Sequence, residues 1–295
     1  MPRARLIYNP TAGRELVERN LAKILNRLED AGYETSCFAT KCRWSAAEEA
    51  KLVAESGFDL VVSAGGDGTL HEVVNGLASH PNPPKLAILP AGTVNDLARA
   101  LELPRDILAA SEVVKIGKTK RIDVGKYGER YFINVAAAGR IAEVTYEAPS
   151  KLKTVLGPLA YYAKAIEKLG TLSEPFPIHI ETPEGEWEIE VLLFLIANSV
   201  SVGGFQKIAP SATLHDGLLD VIIVPKTKIP DLLHLAALAY RGQHVHDSRV
   251  IYFQTQSLNI KTPEPLNLNL DGEWATGELA GRFEILPGHL EVFVP

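Results

Sequence analysis

The chain has 295 residues, a length for one large or two ordinary domains, and its 46% hydrophobic and 22% charged residues are those of a soluble globular protein with a core of useful size. A net charge of −6 leaves no global field to draw it to nucleic acid or anionic lipid, so no nucleic-acid partner is expected. Cys37 and Cys42 match no metal or redox spacing, MPRARLIYNP turns polar too soon for a signal peptide, and the longest apolar run, Val191 to Ala197, is too short to span a bilayer, which together predict a cytoplasmic protein, peripherally membrane-associated at most.

The first third alternates regularly. Residues 4-ARLIY-8 read as a buried strand, and Asn9 to Gly13 as the turn after it. A helix follows with Leu21, Ile24, Leu25 and Leu28 on one face, and Gly32 lies near its C-cap. Next come 33-YETSCFAT-40 as a strand, Ser45 to Glu55 as a helix and 59-DLVVSA-64 as a strand. A glycine-rich turn, 65-GGDGT-69, leads into a helix that buries Leu70, Val73, Val74 and Leu77. Then 85-KLAILP-90 is a strand and 93-TVNDLARAL-101 starts another helix. Such alternation predicts a parallel sheet covered on both faces.

Around residue 120 the pattern changes. Residues 121-RIDVGKY-127 and 130-RYFINVA-136 read as a hairpin with Gly128 and Glu129 at its tip. A helix is expected near 151–169, with Val155, Leu159, Tyr162 and Ile166 on one stripe. Strands follow at 176–181 and 187–198 around a Pro-Glu-Gly-Glu turn, then at 218–224, a short helix at 231–240, and strands near 250–260, 266–270, 282–286 and 290–294. Clustered strands with short turns predict an antiparallel sandwich. The fold class is therefore α/β: a doubly wound parallel domain over residues 1–120 and an antiparallel β-sandwich over 121–295, whose last strand is free to return to the first domain.

Three loops share one address. Each of 9-NPTAG-13, 65-GGDGT-69 and 91-AGTVND-96 follows a strand and precedes a helix, which in an open α/β sheet is the edge where ligands bind. One such loop alone is a tight turn; three in register point to a nucleotide site, with glycines that accept φ > 0 and let phosphate approach the backbone. Walker A is absent, and the Rossmann fingerprint fails because His71 stands where its third glycine belongs. Asp67 inside the turn either touches Mg²⁺ or handles a proton at the phosphoryl acceptor, unless it is an Asx-turn residue that satisfies its own loop. Asp96 reads as a first-turn residue favoured by the helix dipole.

The segments 9-NPTAG-13, 65-GGDGTLHEVVNG-76 and 90-PAGTVNDLAR-99, followed by 203-GGFQKIAPSATLHDGLLDVIIV-224 and 270-LDGE-273, resemble the diacylglycerol kinase catalytic-domain family, which includes sphingosine and ceramide kinases. GGDGT alone is shared with NAD kinases and phosphofructokinases, whose nucleotide domains are of the same type; GTxND, DGLLD and DGE are what narrow the likeness. The resemblance implies that ATP and a lipid substrate meet in the cleft between the domains, at a transient membrane-surface contact. It assigns the nucleotide to Asn9, Pro10, Thr11, Ala12, Gly13, Thr40, Gly65, Gly66, Asp67, Gly68, Thr69, Leu70, His71, Glu72, Thr93 and Asn95. It implies a structural Mg²⁺ held by Thr213, Asp216 and Leu218, and Glu273 as the general base, with Asp67 the next candidate.

The chain departs from the family pattern at Ala138-Gly139-Arg140, at His215 before the DG, and at Trp274 after Glu273. His244 and His246 form an H-x-H pair without an evident third ligand, 115-KIGKTKR-121 reads as a solvated connector, and Trp44, Tyr161 and Tyr162 read as core residues. The function expected is an ATP- and Mg²⁺-dependent lipid kinase; a soluble NAD-type or other small-molecule kinase and a non-catalytic nucleotide or lipid sensor stay open, as does a homo-oligomer.

Overall fold

The computed structural model describes residues 1–139, 175–201, 207–263, 267–275 and 280–295. The expected helix at 151–169 and Tyr161 and Tyr162 lie outside them.

The first domain begins with β1 (Arg3–Tyr8), α1 (Leu16–Asp30), β2 (Glu34–Ala39), α2 (Ser45–Glu55), β3 (Leu60–Gly65), α3 (Asp67–Ala78) and β4 (Lys85–Pro90). Its strands are parallel in the order β4-β3-β1-β2. The strand β3, LVVSAG, is buried at every residue and shows no alternation because both of its faces are covered. The chain steps outward from β1 to β2 and then back across β1 to β3. Right-handed crossovers therefore put α1 and α2 on opposite faces, and the order reverses between β1 and β3.

Two elements differ from the sequence reading. The helix α4 (Asp96–Ala100) starts late, because Asn95 is held in the left-handed region at φ 52 and Thr93 and Val94 stay in the loop. A further helix, α5 (Ile107–Ile116), packs on α1 and β4. Asp106 caps it by accepting from the Ala109 amide at 2.8 Å, and Gly117 ends it at φ 78. The basic run is thus no single connector: Lys115 closes α5, and Lys120 and Arg121 lie in the next strand.

The second domain opens with the hairpin β5 (Thr119–Tyr127) and β6 (Arg130–Phe132). The chain then leaves the hairpin: β7 (Val135–Ala138) pairs with β9 and β13 instead. Next come β8 (Phe176–Thr182), β9 (Gly185–Ala197), β10 (Leu219–Pro225), a helix numbered α6 here (Ile229–Arg241), a 3₁₀ turn at His244–His246, β11 (Ile251–Thr255), β12 (Ser257–Lys261), β13 (Leu268–Leu270), β14 (Glu273–Ala275) and β15 (Gly281–Phe293). Antiparallel pairing joins these strands, and a core containing Phe132, Phe194 and Phe283 fills the sandwich. The region 250–260 is two strands, and the two strands expected after 282 are one, interrupted between Leu286 and Leu290 where Gly288 sits at φ 57.

The strand β15 joins the domains. It pairs antiparallel with β12 and β5 and parallel with β4, where Val292 meets Leu86. Among the described residues no helix is long and apolar enough to cross a membrane.

Candidate active site

The three glycine-bearing loops stand at the carboxyl ends of adjacent strands β1, β3 and β4, beside the point where the strand order reverses. They touch one another through backbone. Gly13, at φ 57, lies so close to the third loop that a Cβ there would stand 2.7 Å from the Ala91 carbonyl oxygen. A Cβ on Gly92 would stand 2.6 Å from the Gly66 Cα. The glycines therefore let the loops pack together as well as admit a ligand. Gly68 is a different case: it lies in the first turn of α3, outside the left-handed region, so the expected need for positive φ in GGDGT is absent. Its missing side chain leaves room toward Glu273, whose Oε1 a Cβ would face at 3.8 Å.

Asp67 latches two of the loops. Its Oδ2 accepts from the Asn95 amide and its Oδ1 from the Asp96 amide, both at 2.8 Å. Burial pushes its carboxyl above the usual range, opposed by these two N–H groups. Both oxygens are engaged, so the geometry makes it a loop tie. Asn95 is consumed locally: its Oδ1 accepts from the Gly92 amide and its Nδ2 donates to the Gly92 carbonyl. Asp96 does more than complement a helix dipole. It is buried, and its Oδ1 accepts from Ser201 Oγ of the second domain at 2.8 Å.

The remaining expected nucleotide residues divide by exposure. Thr11, Gly13, Gly68 and Thr93 are exposed at the loop tips, and Asn9 Oδ1 accepts from both the amide and the hydroxyl of Thr11. Pro10, Ala12, Thr40 and Gly66 are half-buried. Gly65, Thr69, Leu70 and His71 are buried, and Glu72 accepts from the Ala46 amide at 3.1 Å. The first N–H groups of a helix such as α3 lack intrahelical partners, and a helix start is a place suited to anionic oxygens.

The second domain reaches this mouth through 271-DGE-273. Asp271 sits at φ 51 with its side chain only 2% exposed. Its carboxylate accepts from the amides of Ile133, Asn134 and Val135 at 2.7, 2.8 and 2.9 Å. Three amides on one carboxylate fix the turn, and the next residue but one, Glu273, opens β14 over the start of α3. Glu273 Oε2 pairs with Arg43 Nη2 at 2.5 Å.

Arg43 comes from the turn between β2 and α2, which is rigid at its base. Ser45 Oγ accepts from the Lys41 amide and donates to the Cys42 carbonyl. Trp44, held at φ 68, is half-buried and lies edge-on to His71 with ring centroids 5.7 Å apart, so it supports the site rather than a core.

The expected metal residues form a separate cluster. Asp216 Oδ1 accepts from the Leu218 amide at 3.0 Å, and Thr213 Oγ1 is buried without a partner. Nearby, Asp123 accepts from the amides of Gly217 and Gly288, both at 2.7 Å. Oxygen donors with an unpaired buried hydroxyl fit a hard cation held through few protein ligands. Among the described residues no three His, Cys, Asp or Glu side chains gather as a metal site. His244, in its 3₁₀ turn, is 2.8 Å from the Ile208 carbonyl through Nε2.

Sequence reading missed Arg43, Asp123 and the interdomain role of Asp96. A signal existed for Asp123, since a carboxylate inside the apolar strand RIDV must find donors when buried.

Residues 3–127 match the diacylglycerol kinase catalytic domain, and residues 134–294 match the YegS C-terminal NAD kinase beta sandwich-like domain. The chain is 47% identical over 296 residues to a diacylglycerol kinase of Bacillus subtilis, covering 100% of this chain and 97% of that one. It is 47% identical over 293 residues to a diacylglycerol kinase of Staphylococcus epidermidis, covering 99% and 92%. A crystal structure of a diacylglycerol kinase from Bacillus anthracis superposes with a TM-score of 0.81 at 29% identity, over 99% of this chain and 97% of that one.

Proposed function

The chain belongs to the diacylglycerol kinase catalytic-domain family, a family of lipid kinases, and from that premise we propose that it transfers the terminal phosphoryl group of ATP to the hydroxyl of a diacylglycerol-like lipid. One observation carries the reading: an acidic residue of the second domain, Glu273, is held over the N-terminus of α3, where three backbone-rich loops of the first domain converge.

The loops hold the phosphates with N–H groups and with the hydroxyl of Thr93, while Asn9 fixes the Thr11 turn. Asp67 and Asn95 keep the second and third loops in register, and Asp96 with Ser201 keeps the domains so. Glu273 takes the proton of the acceptor hydroxyl as its oxygen bonds to phosphorus. Positioning and electrostatics supply most of the rate. Thr213, Asp216 and Leu218 would hold one Mg²⁺ beside the DG turn, and Mg²⁺ carried in with the nucleotide would supply positive charge against the phosphates. The acceptor reaches the cleft from a bilayer surface that the protein touches transiently.

The test is transfer from Mg-ATP to a panel of lipids in mixed micelles and to NAD and other polar acceptors, read by mass spectrometry. Phosphorylated diacylglycerol is the expected product. A phosphorylated polar acceptor alone would establish a soluble-substrate kinase, and nucleotide binding without any product a sensor.

A further inference from the structure

We propose that Arg43 has two partners in turn: Glu273 in the nucleotide-free protein, and the terminal phosphate of the nucleotide once it is bound. The proposal rests on the reading of the site as a phosphoryl-transfer centre with Glu273 as base.

The side chains place the cation between base and cradle. Arg43 Nη2 lies 2.5 Å from Glu273 Oε2, while the other oxygen of the same carboxylate faces the first turn of α3 across the space left by Gly68. Phosphate oxygens docked on the α3 N-terminus therefore stand close to both groups. The guanidinium takes up one side of Oε2 while Oε1 stays open toward α3, so parting the pair frees the whole carboxylate for the acceptor hydroxyl.

The pair is built to part. The Arg43 side chain is 62% exposed, and water screens an exposed ion pair enough to make it weak. A phosphate carries more charge than a carboxylate and presents the same forked acceptors to guanidinium. The support beneath Arg43 is rigid, however. Ser45 ties the turn internally, Trp44 rests on His71, and Glu72 holds the Ala46 amide. The guanidinium thus swings from a fixed root over a short arc.

In the transfer step the acceptor oxygen bonds to the terminal phosphorus. The bond from phosphorus to the bridging oxygen breaks, and its electron pair leaves with the nucleoside diphosphate. The acceptor proton goes to Glu273. Arg43, now on the equatorial oxygens, offsets the charge gathered there.

The test uses the full-length chain and its R43A, R43K, E273Q and R43A/E273Q variants. Binding is measured by calorimetry with Mg-ADP and with a non-hydrolysable Mg-ATP analogue, and turnover with diacylglycerol micelles. R43A is expected to lower kcat about 10²–10³-fold, comparable to loss of a donor to a charged transition state, with R43K recovering part of it. Its affinity for Mg-ADP stays within about twofold of wild type, since the diphosphate lacks the group Arg43 seeks. E273Q, which releases Arg43, is expected to bind the triphosphate analogue about threefold more tightly than wild type, in line with a weak surface pair. The double variant loses that gain. R43A turnover near wild type, or an E273Q gain that persists without Arg43, overturns the proposal. If wild type binds neither nucleotide, or E273Q turns over normally, the reading of the site is what fails, and the role of Arg43 falls with it.

Discussion

His71 of the first domain and Asp271 of the second meet at 3.3 Å, Nδ1 to Oδ2, with both side chains almost wholly buried. An ionised carboxylate only accepts, so Nδ1 carries the proton, and the other ring nitrogen faces Asn75 Nδ2. Asn75 in turn exchanges two hydrogen bonds with the Tyr131 backbone. One turn of α3 thereby holds both the hairpin and the DGE turn of the other domain.

Asp271→Asn tests that joint. Asparagine replaces one acceptor oxygen with an NH₂ that faces donors. Loss of hydrogen bonds to a buried charged group at about 1.5–3 kcal/mol each predicts a lower denaturation midpoint, checked by urea unfolding. Turnover should fall with it, because Glu273 loses its footing, while first-domain nucleotide binding persists.

Glu273→Gln separates catalysis from fold. Removing a general base costs about 10²–10⁴ in rate, so kcat should fall in that range with thermal stability near wild type. The partner lost is an exposed arginine, which supports near-neutral stability. Turnover within about tenfold of wild type across the pH range would take Glu273 out of the mechanism.

Gly92→Ala and Gly68→Ala should part company. The first puts a methyl group 2.6 Å from the Gly66 backbone and 2.7 Å from Asn95 Oδ1, which forces the second and third loops apart. Nucleotide affinity is expected to fall by about tenfold or more, as for a misplaced binding group. The second meets only a carboxylate oxygen at 3.8 Å, so affinity should hold and the effect should appear in kcat. Calorimetry with Mg-nucleotide and steady-state rates check both.

Tyr252 supplies a pH signature. Burial, then the adjacent Asp220 carboxylate at 2.5 Å, push its phenol from 10.0 up to about 12. The folded pKa is raised, so its stabilising effect is complete below pH 10 and is lost as pH climbs toward about 12. Burial also raises Tyr8 and Tyr33, so ultraviolet titration should show a late tyrosinate component that loses one tyrosine's amplitude near pH 12 in Tyr252→Phe. The same variant leaves Asp220, itself pushed up by burial, with Gln254 as its remaining side-chain donor among the described residues, and should unfold more easily at neutral pH.

The fold was legible where each strand ran into a glycine-bearing turn and then an apolar helix stripe. That pattern is local, and β1 through α3 follow it. The helix α5 carries its own marks in the sequence: Asp106 and Gly117 flank 107-ILAASEVVKI-116, and Ile107, Ala110, Val113 and Val114 recur at helical spacing. The site was legible in its backbone loops, whose chemistry lies in short motifs. It was not legible in its cross-links. Arg43 and Glu273 are 230 residues apart, and Asp96 and Ser201 are 105 apart. Nothing in either neighbourhood names the other. Gly68 was misread in detail, since a glycine in a helical first turn looks in sequence like one in a left-handed turn.

The strand β15 has a consequence for synthesis. Its pairing with β4 makes it the neighbour that covers one edge of the first domain's parallel sheet, yet the chain reaches it only after the whole second domain. Until then β4 presents an open edge, the kind of surface that recruits stray strands. The first domain therefore cannot finish folding as a unit while the chain is emerging from the ribosome. A chain that ends before Gly281 keeps that edge open.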